Sequence, residues 1–163
     1  MTIDLYNKDL ADHVFTADSI IVDMGATNYI FNNRKWFTSI HDLHAPITMS
    51  SSNGGNAIAT AIGTVFVPVA RRNGATYMIL KNALFCPTAP LNMLSIGRLL
   101  KEHNIVIDGD NDRLKIRKVE KEVAYITWHN NIAVLTKLDV PTPCLKNEMS
   151  YLAIPFMHQV KNI

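Results

Sequence analysis

The sequence predicts a mainly β domain with one well-formed helix, and three observations carry that reading. From Ile47 to Leu84 the chain is rich in β-branched residues and is cut at intervals by Gly and Asn. After Asn104, further strand-like runs follow one another at hairpin spacing. Only residues 95–103 hold a sustained helical spacing of apolar side chains. Short, evenly spaced strands punctuated by turn residues are the pattern of an all-β sandwich or barrel.

Pattern begins at Ser19, because Ile20-Ile21-Val22 is a continuous apolar run ending in Asp23-Met24-Gly25-Ala26. Such a run reads as a buried strand feeding a turn. Asn32-Asn33 followed by Trp36, Phe37 and Ile40 predicts a capped helix of about two turns whose aromatics enter the core. Successive hairpins are expected next, with Ser51-Ser52-Asn53-Gly54-Gly55 and Arg72-Asn73-Gly74 as turns. Asn-Gly supplies positive φ at low cost, so residues 63–70 should pair antiparallel with 75–81. Ser95 can cap a helix over 95–103 that puts Ile96, Leu99 and Leu100 on one face. Strands are then expected at 105–107, 114–116, 123–128 and 132–135. Pro141-Thr142-Pro143 ends the pattern. The organisation expected is an N-terminal segment 1–18, a folded domain 19–138, and a linker or the start of another segment at 139–163.

Composition narrows the function classes. A chain of 163 residues with 48% hydrophobic content can bury an ordinary core without covalent staples. Its two cysteines, Cys86 and Cys144, form no Cys-x-x-Cys or Cys/His array, so neither a structural zinc site nor a disulfide framework is expected. Acids near the start and the absence of a long apolar run predict no secretory leader and no membrane-spanning helix. A net charge of +2 is too weak and dispersed for a nucleic-acid surface, and aromatics do not interleave with the basic residues.

Asp23 is the strongest candidate for chemistry. A strand delivers its carboxylate rigidly, Gly25 lets the backbone turn tightly, and Ala26 keeps bulk away from a bound water. Asp-x-Gly alone is also how an ordinary strand enters a turn. Other candidates are weaker. His41 and His44 would share a helix face but lack further local ligands. Cys86, between Phe85 and Pro87, reads as a small buried hydrophobe. Asp108 to Asp112 lacks the glycine position and the closing Glu of a calcium loop, and reads as an acidic turn. Trp128 is expected to pack.

The stretch Asp23-Met24-Gly25-Ala26-Thr27 resembles the Asp-Ser/Thr-Gly-Ala motif of retroviral-type aspartic proteases, specifically those of copia-type LTR retrotransposons. A second block, Phe85-Cys86-Pro87 and then Leu91-Asn92-Met93-Leu94-Ser95-Ile96-Gly97-Arg98-Leu99, resembles the Pro and Asn-Leu-Leu-Ser signature of that family. The resemblance covers residues 19 to about 138. It implies a closed retropepsin-like β-barrel with additional C-terminal strands, in which two chains each supply one catalytic Asp. The single Asp-x-Gly of this chain agrees with such a homodimer. By the same resemblance, Asp23 is the catalytic residue, and Met24, Gly25, Ala26 and Thr27 form the active-site loop. Ser52, Asn53, Gly54 and Gly55 belong to a flap over the peptide. The substrate implied is the element's own Gag-Pol polyprotein, cut inside cytoplasmic virus-like particles, with no metal or organic cofactor. Met24 departs from the family's Ser or Thr, whose hydroxyl ties the two active-site loops together. A catalytically silent descendant acting in assembly or protein binding is the alternative that this departure raises.

Overall fold

Asp23 ends a strand in the middle of one ten-stranded sheet. A computed structural model describes residues 15–50, 55–71, 74–109, 113–118, 121–129 and 132–137. In chain order the strands are β1 (Ile20–Asp23), β2 (Ile30–Phe31), β3 (Phe37–Ser50), β4 (Asn56–Arg71), β5 (Gly74–Phe85) and β6 (Asn92–Ser95). Helix α1 (Ile96–His103) follows, then β7 (Ile105–Gly109), β8 (Arg113–Lys118), β9 (Lys121–His129) and β10 (Ile132–Leu135). The strands lie side by side in the order β3-β4-β5-β2-β6-β1-β10-β9-β8-β7. The class is therefore mainly β with a single α-helix among the described residues. An isolated bridge between Val69 and Lys137 joins β4 to the segment after β10, bending the sheet back on itself.

Burial follows the pleat. On β4 the alternate residues Ala59, Ala61, Val65, Val67 and Val69 are fully buried, as the period of two requires. β1 instead buries Ile20, Ile21 and Val22 in succession, because it has a neighbour on each side and core on both faces. One large cluster joins Ile20, Val22, Ala61, Val65, Val67 and Val69 to Tyr29, Phe31, Leu80, Leu94 and Ile96, and reaches Ile116, Ala124 and Ile126 of the C-terminal strands. Burying an aliphatic or aromatic side chain of this size is worth about 1.5–3 kcal/mol, so this cluster is the main source of stability. A smaller one gathers Ala59, Leu84, Cys86 and Ala89.

At Gly63, β4 packs tightly against β3. A Cβ there would lie 2.0 Å from the Ser39 carbonyl oxygen and 2.9 Å from Ile40 Cα. The ladder shifts register beside it on both neighbours, between Phe37 and Ser39 on β3 and between Gly63 and Val65 against β5. The side-chain-free residue thus lets the strands cross at a bulge.

Helix α1 forms as expected. Ser95 caps its first turn by accepting from the Arg98 N–H, and Asn104 closes it in the left-handed conformation with φ 48°. The expected two-turn helix after Asn32-Asn33 does not form. Asn33 caps only one 3-10 turn, Arg34–Trp36, and the chain enters β3 at Phe37. The β-branched Thr38 and Ile40 favour extension, and the backbone bonds to β4 outweigh weak helical spacing. The aromatics still enter the core: Phe31 meets Trp36 at 5.7 Å and Phe37 at 6.3 Å, and Phe37 meets Phe85 edge-on at 6.0 Å.

Residues 104–138 do more than extend the fold. β10 lies antiparallel beside β1, with Ile21 opposite Val134, so the C-terminal strands supply one of the two neighbours of the Asp23 strand. Trp128, expected to pack, is 44% exposed on β9. His41 and His44 lie exposed on β3 rather than on a helix. Of the expected turn residues, 51–54, 72–73 and 110–112 lie outside the described residues, as do 1–14 and 138–163.

Candidate active site

The local topology fixes where Asp23 points. β1 runs parallel to β6 in the register Ile20 to Asn92 through Asp23 to Ser95. β2 lies on the far side of β6, antiparallel to it, with Ile30 opposite Met93. The turn from β1 to β2 therefore crosses the C-terminal end of β6, where Ser95 stands. β2 is held in turn by β5, with Ile30 opposite Leu84 and Phe31 opposite Phe85.

Within this turn Asp23 Oδ1 accepts the Gly25 N–H at 2.7 Å. A Cβ on Gly25 would come 3.4 Å from that same oxygen, the near limit of ordinary van der Waals contact. Asp23 itself is half-buried, while Met24 projects into solvent with 71% of its surface exposed. Ala26 offers its carbonyl to the Ser95 hydroxyl at 2.5 Å. Thr27 is exposed and accepts from Asn28 Nδ2 at 3.2 Å. No hydrogen bond to Asp23 Oδ2 forms among the described residues, which leaves one oxygen available to solvent or to a ligand.

Two further residues support the turn from behind. Asn92 is fully buried at the start of β6, and its Nδ2 donates to the carbonyls of Ala17 and Ser19 at 3.0 and 3.1 Å. Its Oδ1 accepts the Asn32 N–H at 3.1 Å, so both ends of the amide join the segments flanking β1 and β2. Arg98 of α1 donates to the carbonyls of Lys81 and Asn82, each at 3.1 Å, and pairs with Glu102 at 2.5 Å. Asn82 is one of two non-glycine residues with positive φ among the described residues, at 53°, and the guanidinium fork holds it there. In the sequence, Asn92 and Arg98 stand out only as members of the second block. Their long-range partners gave no local signal.

Of the expected flap residues, Gly55 directly precedes β4, and Ser52, Asn53 and Gly54 lie outside the described residues. The arms of that hairpin are formed, with Met49 opposite Ala57 and Ser50 opposite Asn56. Among the described residues β3 is an edge of the sheet, the position at which an added strand can pair.

Burial shifts three titratable groups away from the turn, Cys86, His103 and Tyr29. Burial pushes the Cys86 thiol up to about 11. Burial lowers His103, more than offsetting the Glu102 carboxylate beside it, and Lys118, Lys81 and Arg98 lower it further. Burial, with Glu102, raises the Tyr29 phenol, whose hydroxyl donates to Glu102 at 3.1 Å. Among the described residues no three His, Cys, Asp or Glu side chains converge as a metal site.

The span from β1 through helix α1 is also the part of the chain that a comparison with known families picks out. A family model for the β-barrel domain of Pol polyproteins matches residues 20–105, just over half of the 163 residues. The chain belongs to that family. It is thus a Pol β-barrel domain, from the Pol-related region of a retroelement. No curated protein and no solved structure matches it. The match opens at the first residue of β1 and closes at the first residue of β7. The Pol β-barrel domain in this chain nonetheless draws β10 into its central ladder from outside the matched span.

Proposed function

We propose that this Pol β-barrel domain is the aspartic endopeptidase of a copia-type retrotransposon, active as a homodimer on its own Gag-Pol polyprotein within cytoplasmic particles. The observation that carries the reading is the setting of Asp23: a carboxylate at the end of a buried central strand, with Oδ1 fixed by Gly25 and Oδ2 without a hydrogen bond among the described residues. The chain has a single Asp-x-Gly, so a catalytic pair requires two copies.

In the dimer the two Asp23 carboxylates would share one proton, because like charges a few Å apart do not both ionise. The ionised member takes a proton from water, whose oxygen bonds to the scissile carbonyl carbon while the other carboxyl protonates the carbonyl oxygen. Collapse of that adduct breaks the C–N bond and delivers a proton to the leaving amine. The titration belongs to the pair. An extended peptide would bind by main-chain pairing under the β3–β4 hairpin, with specificity set by alternate side chains. No metal or organic cofactor enters this scheme.

One observation favours a second reading. Met24 stands exposed where the family's hydroxyl would tie two chains together, and methionine donates no hydrogen bond. A dimer lacking that bond loses about 0.5–1.5 kcal/mol. A silent descendant that serves assembly or protein binding is consistent with it.

The test is expression of the chain with its flanking polyprotein, as written and with Asp23→Asn, followed by gel analysis between about pH 4 and 7. Processing that needs Asp23 supports the enzyme. Absence of processing in both, with no rescue by Met24→Ser, rejects it. Rescue by Met24→Ser identifies a sound fold that has lost catalysis. Sedimentation at rising concentration gives an independent check, since a strict monomer cannot assemble the pair.

A further inference from the structure

We propose that Ser95 is a positioning residue for Asp23, holding the active-site turn from within the chain where Met24 provides no hydroxyl to hold it. The inference rests on the protease reading of Asp23. Ser95 is fully buried at the end of β6, directly opposite Asp23 in the parallel ladder. Its hydroxyl makes two bonds with fixed polarity. The Arg98 N–H at 3.2 Å can only donate, so the hydroxyl accepts there and its one proton goes to the Ala26 carbonyl at 2.5 Å. Helix α1 thereby orients the hydroxyl, and the hydroxyl orients the Ala26 peptide.

Ala26 follows Gly25, whose N–H fixes Asp23 Oδ1, so one short run links Ser95 to the carboxylate. Among the described residues, Ser95 provides the one side-chain hydrogen bond that reaches residues 24–28 from outside the turn. Thr27 and Asn28 bond only to each other, and the Met24 side chain is solvent-exposed. A turn held at a single outside point passes any slack at that point to the reacting group. Misplacement of about 1 Å is enough to cost about a hundredfold in rate.

Ser95→Ala removes the helix cap as well as the turn anchor, so loss of stability alone would not distinguish the roles. Lys101→Gly, on the exposed side of α1, weakens the helix by a similar amount without touching the turn. Ser95→Thr keeps the hydroxyl. The experiment measures hydrogen exchange at the Gly25 amide in the full chain for all three variants, and kcat and KM for polyprotein cleavage. Ser95→Ala is expected to speed Gly25 exchange about tenfold and to lower kcat by about ten- to a hundredfold with KM little changed. Ser95→Thr should restore both, and Lys101→Gly should move neither. Gly25 exchange unchanged in Ser95→Ala, or equally fast in Lys101→Gly, overturns the proposal. If the unaltered chain cleaves nothing, the protease reading fails on its own, and the exchange comparison still decides whether Ser95 holds the turn.

Discussion

The guanidinium of Arg98 lies 4.6 Å above the ring of Tyr29, and both side chains converge on Glu102. This places a planar cation between a buried aromatic face and two backbone carbonyls of β5, joining α1 to the strand that supports β2. Lysine can supply the charge but not the fork or the stacking. Arg98→Lys is expected to destabilise the fold by about 1–3 kcal/mol, measured as a lower midpoint in urea with unchanged slope. Tyr29→Phe, which loses only the bond to Glu102, should cost about 1 kcal/mol.

Gly63 tests the bulge at the β3–β4 crossing. A methyl group there would overlap the Ser39 carbonyl oxygen, a backbone atom that cannot swing aside. Gly63→Ala is expected to cost about 3 kcal/mol or more, or to abolish soluble expression. Gly97, whose added Cβ would meet nothing nearer than the Met24 carbonyl oxygen at 4.0 Å, should accept alanine with neutral or slightly positive effect.

His103 sets a pH dependence with a definite sign. Burial holds its folded-state value below the ordinary 6.5, and Lys118, Lys81 and Arg98 act in the same direction against Glu102. The unfolded chain therefore binds the proton first as pH falls. The stabilisation is complete above about pH 6.5 and declines as pH drops toward the folded-state value. Thermal midpoints should fall across this window, and His103→Gln should flatten the decline. A decline of equal size in the variant would assign it to other groups.

Cys86 provides a probe of opening. With burial pushing the thiol up to about 11, a thiol reagent at pH 7.5 meets a protonated, enclosed sulfur. Labelling of Cys86 in the native chain is expected to be slow and to accelerate with denaturant in step with unfolding. Prompt labelling would place the second core cluster nearer to solvent than the structure has it.

A truncation separates the family-matched span from the folding unit. A chain ending at Asn104 keeps all matched residues but one, yet leaves β1 without its β10 neighbour. It also strips the core of Ile116, Ala124 and Ile126. Such a fragment should be insoluble or unfolded by circular dichroism, whereas a chain ending near residue 138 should be folded.

How much of this was legible in the sequence depends on the range of each interaction. β1 and its Asp23 were legible because three consecutive apolar residues before an acid and a glycine are a local pattern. Helix α1 was legible for the same reason, since Ser95 and the spacing of Ile96 and Leu99 fall within one window. The strand starting at Phe37 was misread as helix because its partner, Val65, lies outside any such window. Nothing local marks Gly63, and only the crossing with Ser39 reveals its necessity. The same holds at the candidate site. Asp23, Gly25 and Ala26 announce themselves, while the bond from Ser95 to Ala26 spans 69 residues and appears only once β6 is threaded between β1 and β2.

The pairing of β1 with β10 has a consequence for the timing of synthesis. Val134 lies roughly 110 residues downstream of Ile21, which at about 5–20 residues per second means about 6–22 s of translation. Throughout that interval the strand bearing Asp23 has been made but its neighbour has not, so a nascent chain holds no finished site. The ladder around Asp23 is therefore completed only after the ribosome has moved past the C-terminal strands.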